Sequence, residues 1–206
     1  MNRLWHFLAS PLTHFACGAA LSLVWLLFAA AHVARFMQTG NPSLLLFCIA
    51  ETVIAGLLLV RSQPKSFTHR PEEWVVAILG TLLPLLFRPT PGVLVPGADW
   101  GVTIGAAIQI SGALSLNRSF AIVPALRELK TRGMYGLVRH PIYASYLVTF
   151  VSYLAAYFSM RNLLVFIASV LLLFARVHSE ERHLSTDADY RAYRRRVKWR
   201  LIPFVF

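Results

Sequence analysis

The chain has 206 residues, of which 57% are hydrophobic and 14% charged, and its mean hydropathy is +0.59. A soluble domain carries about 25% charged residues, so these figures exclude a disordered chain and argue against a soluble globular enzyme. The formal charge of +11 leaves two readings, nucleic-acid binding or the positive-inside bias of a membrane protein. The only cysteines, Cys17 and Cys48, sit in apolar runs, so neither a disulfide framework nor a cysteine metal motif is expected, and no metal site is assigned.

A membrane helix needs about 20 apolar residues. The first candidate span is Pro11–Met37, with His14 and His32 near its ends, which read as interfacial packing residues. Only Arg3 precedes it as a cation, so it is kept as a span and not read as a cleaved leader. The second, Ser43–Val60, carries Glu51 at its centre. A carboxyl there is either a substrate or proton site or a paired structural group. The third, Glu73–Phe87, is short and holds Pro84; a full crossing and a re-entrant or tilted segment both fit it. The fourth, Trp100–Leu116, is rich in Gly and Ala. The fifth is Pro141–Ser159, and the sixth, Asn162–Ala175, runs on into a polar stretch. The expectation is an all-α, polytopic membrane bundle of five to six transmembrane helices.

With the N-terminus inside, seventeen cations fall on the cytoplasmic side: Arg3, Arg61, Lys65, Arg70, Arg118, Arg127, Lys130, Arg132, Arg139, Arg176, Arg182, Arg191, Arg194, Arg195, Arg196, Lys198 and Arg200. Three, Arg35, Arg88 and Arg161, fall outside. That asymmetry explains the charge by topology, with both termini cytoplasmic. Nucleic acid is not expected as a partner, because the cations are spread over loops and form no single groove.

Motifs crowd into the second half. Lys130 to Tyr143 joins spans four and five; Gly133 and Gly136 permit a tight loop, and Pro141 suits a first helical turn. The N–H groups of that helix start, beside Arg139 and His140, would favour an anion, or the loop could simply touch lipid headgroups. Tyr143, Tyr146, Phe150, Tyr153 and Tyr157 recur at steps of three and four and so share one face. Packing is the expected role for Tyr153 and Tyr157, with Tyr143 as the candidate cavity residue. Arg176 and Glu180 share a helix face, as do His178 and Glu181. The tail, Asp189–Pro203, is basic and aromatic; it either lies on anionic lipid as an amphipathic helix or folds over the motif loop as a lid.

In order, Gly133-x-Tyr135-x-x-x-Arg139-His140-Pro141-x-Tyr143, Arg176-x-x-x-Glu180-Glu181-x-x-Leu184, Tyr190-x-x-Tyr193 and Ile202-Pro203 resemble the isoprenylcysteine carboxyl methyltransferase family and its bacterial phospholipid-methyltransferase-like relatives. Asn117-Arg118-Ser119-Phe120 resembles the lead-in of the bacterial members, so the resemblance covers residues 117–206. It implies one membrane domain, with residues 1–116 as N-terminal helices and 117–206 as a cofactor-binding core on the cytoplasmic side. It implies S-adenosyl-L-methionine as cofactor and a lipophilic small molecule or lipidated acceptor as substrate in membrane lipid. It assigns cofactor contacts to Arg127, Glu128, Leu129, Lys130, Tyr135, Arg139, His140, Pro141, Ile142, Tyr143, Glu180 and Glu181. Arg176, Glu180 and His140 are the expected catalytic group, with Arg176 and Glu51 toward the acceptor. Ser145 and Ser152 stand where many members have glycine; serine is small enough to keep helices close.

Methyl transfer fits such a site, since it chiefly requires alignment of acceptor and methyl group. A carboxylate acceptor needs no base, whereas an amine needs one, with Glu180, Glu181 or His140 as candidates. The rival readings are a phospholipid amine N-methyltransferase, an NADPH-dependent enzyme like the sterol reductases, and a small transporter built on Glu51. Multi-pass insertion in a bacterial inner membrane is the expected location.

Overall fold

The computed structural model describes residues 10–40, 42–88, 90 and 94–206. Arg3 and the side chains of His14, His32 and Arg35 lie outside the described residues. Seven α-helices account for most of the rest: α1 Pro11–Thr39, α2 Pro42–Val60, α3 Pro71–Leu82, α4 Ala98–Leu116, α5 Pro141–Ala156, α6 Met160–Leu184 and α7 Ala188–Arg196. The expected all-α class stands; the strands β1 (Ser66–Phe67) and β2 (Ala125–Leu126) form one two-residue antiparallel pairing.

Local signals set the helix ends. Ser10 caps α1 by accepting from the Thr13 N–H at 3.2 Å. Gly40 ends that helix in the left-handed conformation, φ 65°, and its N–H donates to Phe36 O. Pro71 and Pro141 occupy first turns, where a missing N–H costs nothing. Ser159 caps α6 and Asp187 caps α7.

Neighbouring helices run α1, α2, α4, α5, α6, α3 across the bundle. The α4–α5 contact depends on missing side chains. A β-carbon on Gly101 would collide with Ser152, and one on Gly105 with Thr149; on Gly112 it would stand 3.1 Å from Ile142 Cγ1. The small residues that allow close approach therefore lie on both helices, and Ser145 and Ser152 pack into the α4 glycines.

The third apolar segment is α3 continued by a 3-10 turn at Leu83–Leu86. At one end Glu73 pairs with Arg182; at the other the backbone of Arg88 both donates to and accepts from the Asn162 side chain. Residues 162 and 182 are about 30 Å apart on a helix. The segment thus runs the length of α6, and the 3-10 turn supplies the reach that its short α-helix lacks.

The two ends of the bundle differ in charge. The loops 61–70 and 117–140 meet at one end, through Ser62 N–H to Arg118 O (2.8 Å), Lys65 N–H to Leu126 O (2.7 Å) and the β1–β2 pair. The other end joins Arg88 to Asn162 and Leu94 to Ala156. The sides of the bundle are apolar and exposed: Leu164, Ile167, Leu171 and Phe174 line one face of α6 at steps of three and four. One described helix, α6, is long and apolar enough to cross a membrane, and shorter apolar stretches occur at Phe15–Leu27, Cys48–Val60 and Pro141–Ala156.

Candidate active site

A cleft opens at the basic end, with about 840 Å³ of empty space counting its mouth. Its walls come from the 119–130 loop, the motif loop at Tyr135 and Arg139, the start of α5, the end of α6, and α7. Gly133, at φ 61°, turns the motif loop tightly beneath Ser115, whose Oγ accepts from the Met134 N–H at 3.4 Å.

Of the residues expected at the site, Arg127, Glu128, Leu129, Lys130, Tyr135, Arg139, His140, Ile142, Tyr143, Arg176 and Glu180 all line this cleft. Arg176 and Glu180 do not pair with each other. Tyr143 joins them: its hydroxyl donates to Glu180 Oε2 at 2.9 Å, and the Arg176 guanidinium lies 5.2 Å from its ring centroid. Arg176 Nη2 also donates to Ile122 O at 3.2 Å. Its Nε and the Tyr190 hydroxyl are buried and have no hydrogen-bond partner among the described residues. Buried polar atoms are nearly always satisfied, and both of these residues line the cleft.

Arg127 forms much of the cationic wall. It is 6% exposed, and burial, then the neighbouring Arg61 charge, brings its pKa down to about 10. It remains a cation at neutral pH, poorly solvated and suited to an anion. Beside it Lys130 pairs with Glu128 at 2.7 Å, which lowers the Glu128 pKa. Burial, then the Glu180 charge, holds the Tyr135 phenol well above its ordinary pKa, so it stays neutral.

Pro141, Glu181 and Glu51 stand outside the lining. Pro141 is buried against Gly112. Glu181 lies behind the wall: Arg139 Nε donates to Oε1 at 2.6 Å, Arg200 Nε to Oε2 at 3.0 Å, and His140 Nε2 is 3.2 Å from Oε1. Glu51 is buried between helices, where Gln109 Nε2 donates to it at 3.2 Å. Tyr146, a cleft residue, lies within its electrostatic reach.

The tail meets the motif loop just ahead of α5: the N–H groups of Arg139 and His140 donate to Trp199 O and Arg200 O, both at 2.9 Å. Arg139 Nη1 also donates to Val197 O and Lys198 O. The tail folds over the motif loop as a lid, and Tyr193 Oη donates to Tyr135 O at 2.7 Å. Tyr190 and Tyr193 thereby become cleft walls, which sequence reasoning had not assigned; the Tyr-x-x-Tyr spacing was their signal. The aromatic face of α5 divides in two. Tyr143 and Tyr146 line the cleft, while Phe150 and Tyr153 pack on Phe87, with ring centroids 5.7 and 5.0 Å apart.

A helical bundle with apolar flanks and a cationic, tyrosine-lined cleft at one end matches the class of membrane-bound transferase that the motifs imply. Comparison with family models gives that class a name: residues 100–188 match the phospholipid methyltransferase family. The match spans α4 through the start of α7 and bears out the resemblance read from the motifs. It supports a methyltransferase acting on lipids. No curated protein matches the chain.

Proposed function

We propose that the protein is an S-adenosyl-L-methionine-dependent integral membrane methyltransferase of a lipophilic acceptor, like the isoprenylcysteine carboxyl O-methyltransferases. The observation that carries this is the cleft, where Arg176 and Tyr190 keep buried polar atoms unpartnered beside Glu180 and the ring of Tyr143. The side chains suit the cofactor part by part. Arg127 and Lys130 fit a carboxylate, Glu180 an ammonium or sugar hydroxyl, the tyrosine faces a sulfonium, and Leu129, Leu184 and Phe120 a flat base. The bundle crosses a bacterial inner membrane several times, with the cleft and both termini on the cytoplasmic side; the seventeen-to-three division of cations supports this orientation.

When bound, S-adenosylmethionine supplies an electrophilic methyl group. The protein aligns an acceptor with it. Arg176 orients the acceptor's anionic group, and its contact with Tyr143 holds the guanidinium in place. The acceptor enters from lipid on the side of Tyr146 and Glu51. The tail lid excludes water over the reacting atoms. A carboxylate reacts without proton transfer. The family match favours a second reading, a phospholipid amine, for which a base is required. Glu181 is engaged by Arg139 and Arg200, and His140 faces Glu181, so Glu180 takes that role.

Calorimetric titration of the detergent-purified protein with S-adenosylhomocysteine, beside NADPH and a Glu180→Ala variant, tests the cofactor. Binding of S-adenosylhomocysteine that the variant loses supports the proposal; binding of NADPH alone overturns it. Transfer of a labelled methyl group to a prenylated cysteine or to a phosphatidylethanolamine then selects the acceptor.

A further inference from the structure

The outer face of the tail carries a second cleft, separate from the one assigned above. It is lined by Arg139, Arg194, Arg195, Lys198 and Arg200, beside Trp199. Phe206 also lines it, and no Asp or Glu side chain does. Arg139 and Arg200 are paired with Glu181 from behind, so Arg194, Arg195 and Lys198 are the cations that face an anion there, and arginine forks suit phosphate in particular.

Its position identifies the anion's source. Below the cations the chain turns back in an apolar knuckle, held by the N–H groups of Arg200, Leu201 and Ile202, all donating to Phe206 O. Leu201 is buried against Phe150, Leu173 and Val177, which sets the knuckle beside the apolar stretch of α6. The Phe206 ring packs edge-on against Phe174, with centroids 5.7 Å apart. Phe174 is the last member of the exposed stripe Leu164, Ile167, Leu171, Phe174. The stripe therefore continues onto Phe204 and Val205, which are 85% and 74% exposed, and the cation cluster begins where it stops. Apolar surface bordered by arginine and lysine is the pattern of a membrane interface, with chains on one side and headgroups on the other.

We propose that this cleft binds the phosphate of an anionic membrane lipid whose acyl chains lie along α6 and the knuckle. The inference rests on the membrane placement argued above and is independent of the methyl-transfer reading. It also gives the lipid a route to the active site. Arg139 lines both clefts and holds Glu181, so a headgroup on the tail's outer face steadies the lid over the inner one.

Native mass spectrometry of the detergent-purified protein, titrated with phosphatidylglycerol or phosphatidylcholine of the same chains, reads the site without turnover. The expected result is retention of phosphatidylglycerol over phosphatidylcholine. The Arg194→Gln/Arg195→Gln/Lys198→Gln variant loses that retention by about tenfold or more, since cations near a membrane surface each add to the attraction for an anionic headgroup. Arg194→Lys/Arg195→Lys keeps it. Removal of three exposed cations elsewhere, Lys65→Gln/Arg70→Gln/Arg132→Gln, leaves it unchanged. Equal loss in the two triple variants, or equal retention of both lipids by the wild type, overturns the proposal while leaving S-adenosylhomocysteine binding intact. Release of the protein from membranes by alkaline carbonate overturns the membrane placement itself.

Discussion

Arg139 and Glu181 meet at 2.6 Å across forty-two residues of sequence, with both side chains almost wholly out of water. Such a pair gains little over an apolar one but is costly to break, because the survivor is left charged and buried. Here the survivor would also be a cleft residue. Glu181→Gln is expected to destabilise the protein by about 3 kcal/mol and to release the tail, because Arg200 shares the same carboxylate. Amide hydrogen exchange checks this: the Arg139 and His140 N–H groups, protected by Trp199 O and Arg200 O, should exchange faster in the variant, while those of α2 should not.

Tyr143 joins the acceptor side of the cleft to the cofactor side. Tyr143→Phe keeps the ring beside Arg176 and removes only the hydrogen bond to Glu180. A hydrogen bond to a charged group is worth about 1.5 kcal/mol, or about tenfold. S-adenosylhomocysteine affinity should fall by about that factor. Tyr143→Ala should lose more, since the ring face goes as well. Calorimetry on the two variants separates the hydroxyl from the ring.

Much of this was legible in the sequence, because membrane helices and their periodicity are local properties. Each apolar segment became a helix, and the three-four spacing of α5 foretold that Tyr143 and Tyr153 share a face. What escaped depends on the tail. Glu180 and Glu181 are neighbours on α6, about 100° apart around the axis; one faces the cleft, and the other faces Arg200. Nothing local distinguishes them before Trp199 and Arg200 are known to lie over Arg139 and His140. Tyr190 and Tyr193 were hidden for the same reason. The third segment, read as Glu73–Phe87, looked short because its ends are fixed by Arg182 and Asn162 on a neighbour and not by its own sequence.

Gly80 lies against Arg176, and a β-carbon there would stand 2.7 Å from Arg176 Cδ. The glycine thus makes room for the guanidinium's stem. Gly80→Ala is expected to push Arg176 into the cleft and off the Tyr143 ring. If Arg176 orients the acceptor, methyl transfer should fall by about tenfold or more, as small misplacements commonly cost. Binding of S-adenosylhomocysteine should change little, because Glu180 and the Arg127 wall stay in place. Steady-state transfer measured beside calorimetry checks the division; an equal loss in both would place Arg176 on the cofactor side instead.

Arg127 presents the opposite balance. Its cation is held in a wall that solvates it poorly, with the Arg61 charge nearby, and this lowers its pKa to about 10. A charge kept where the fold disfavours it is expected to serve a ligand. Arg127→Met removes the charge while keeping an unbranched side chain of similar length. S-adenosylhomocysteine should bind more weakly, and its stabilising effect on thermal unfolding should shrink accordingly. Melting curves with and without the ligand test this. A variant that is less stable and binds normally would make Arg127 a structural cation and leave Lys130 to meet the carboxylate.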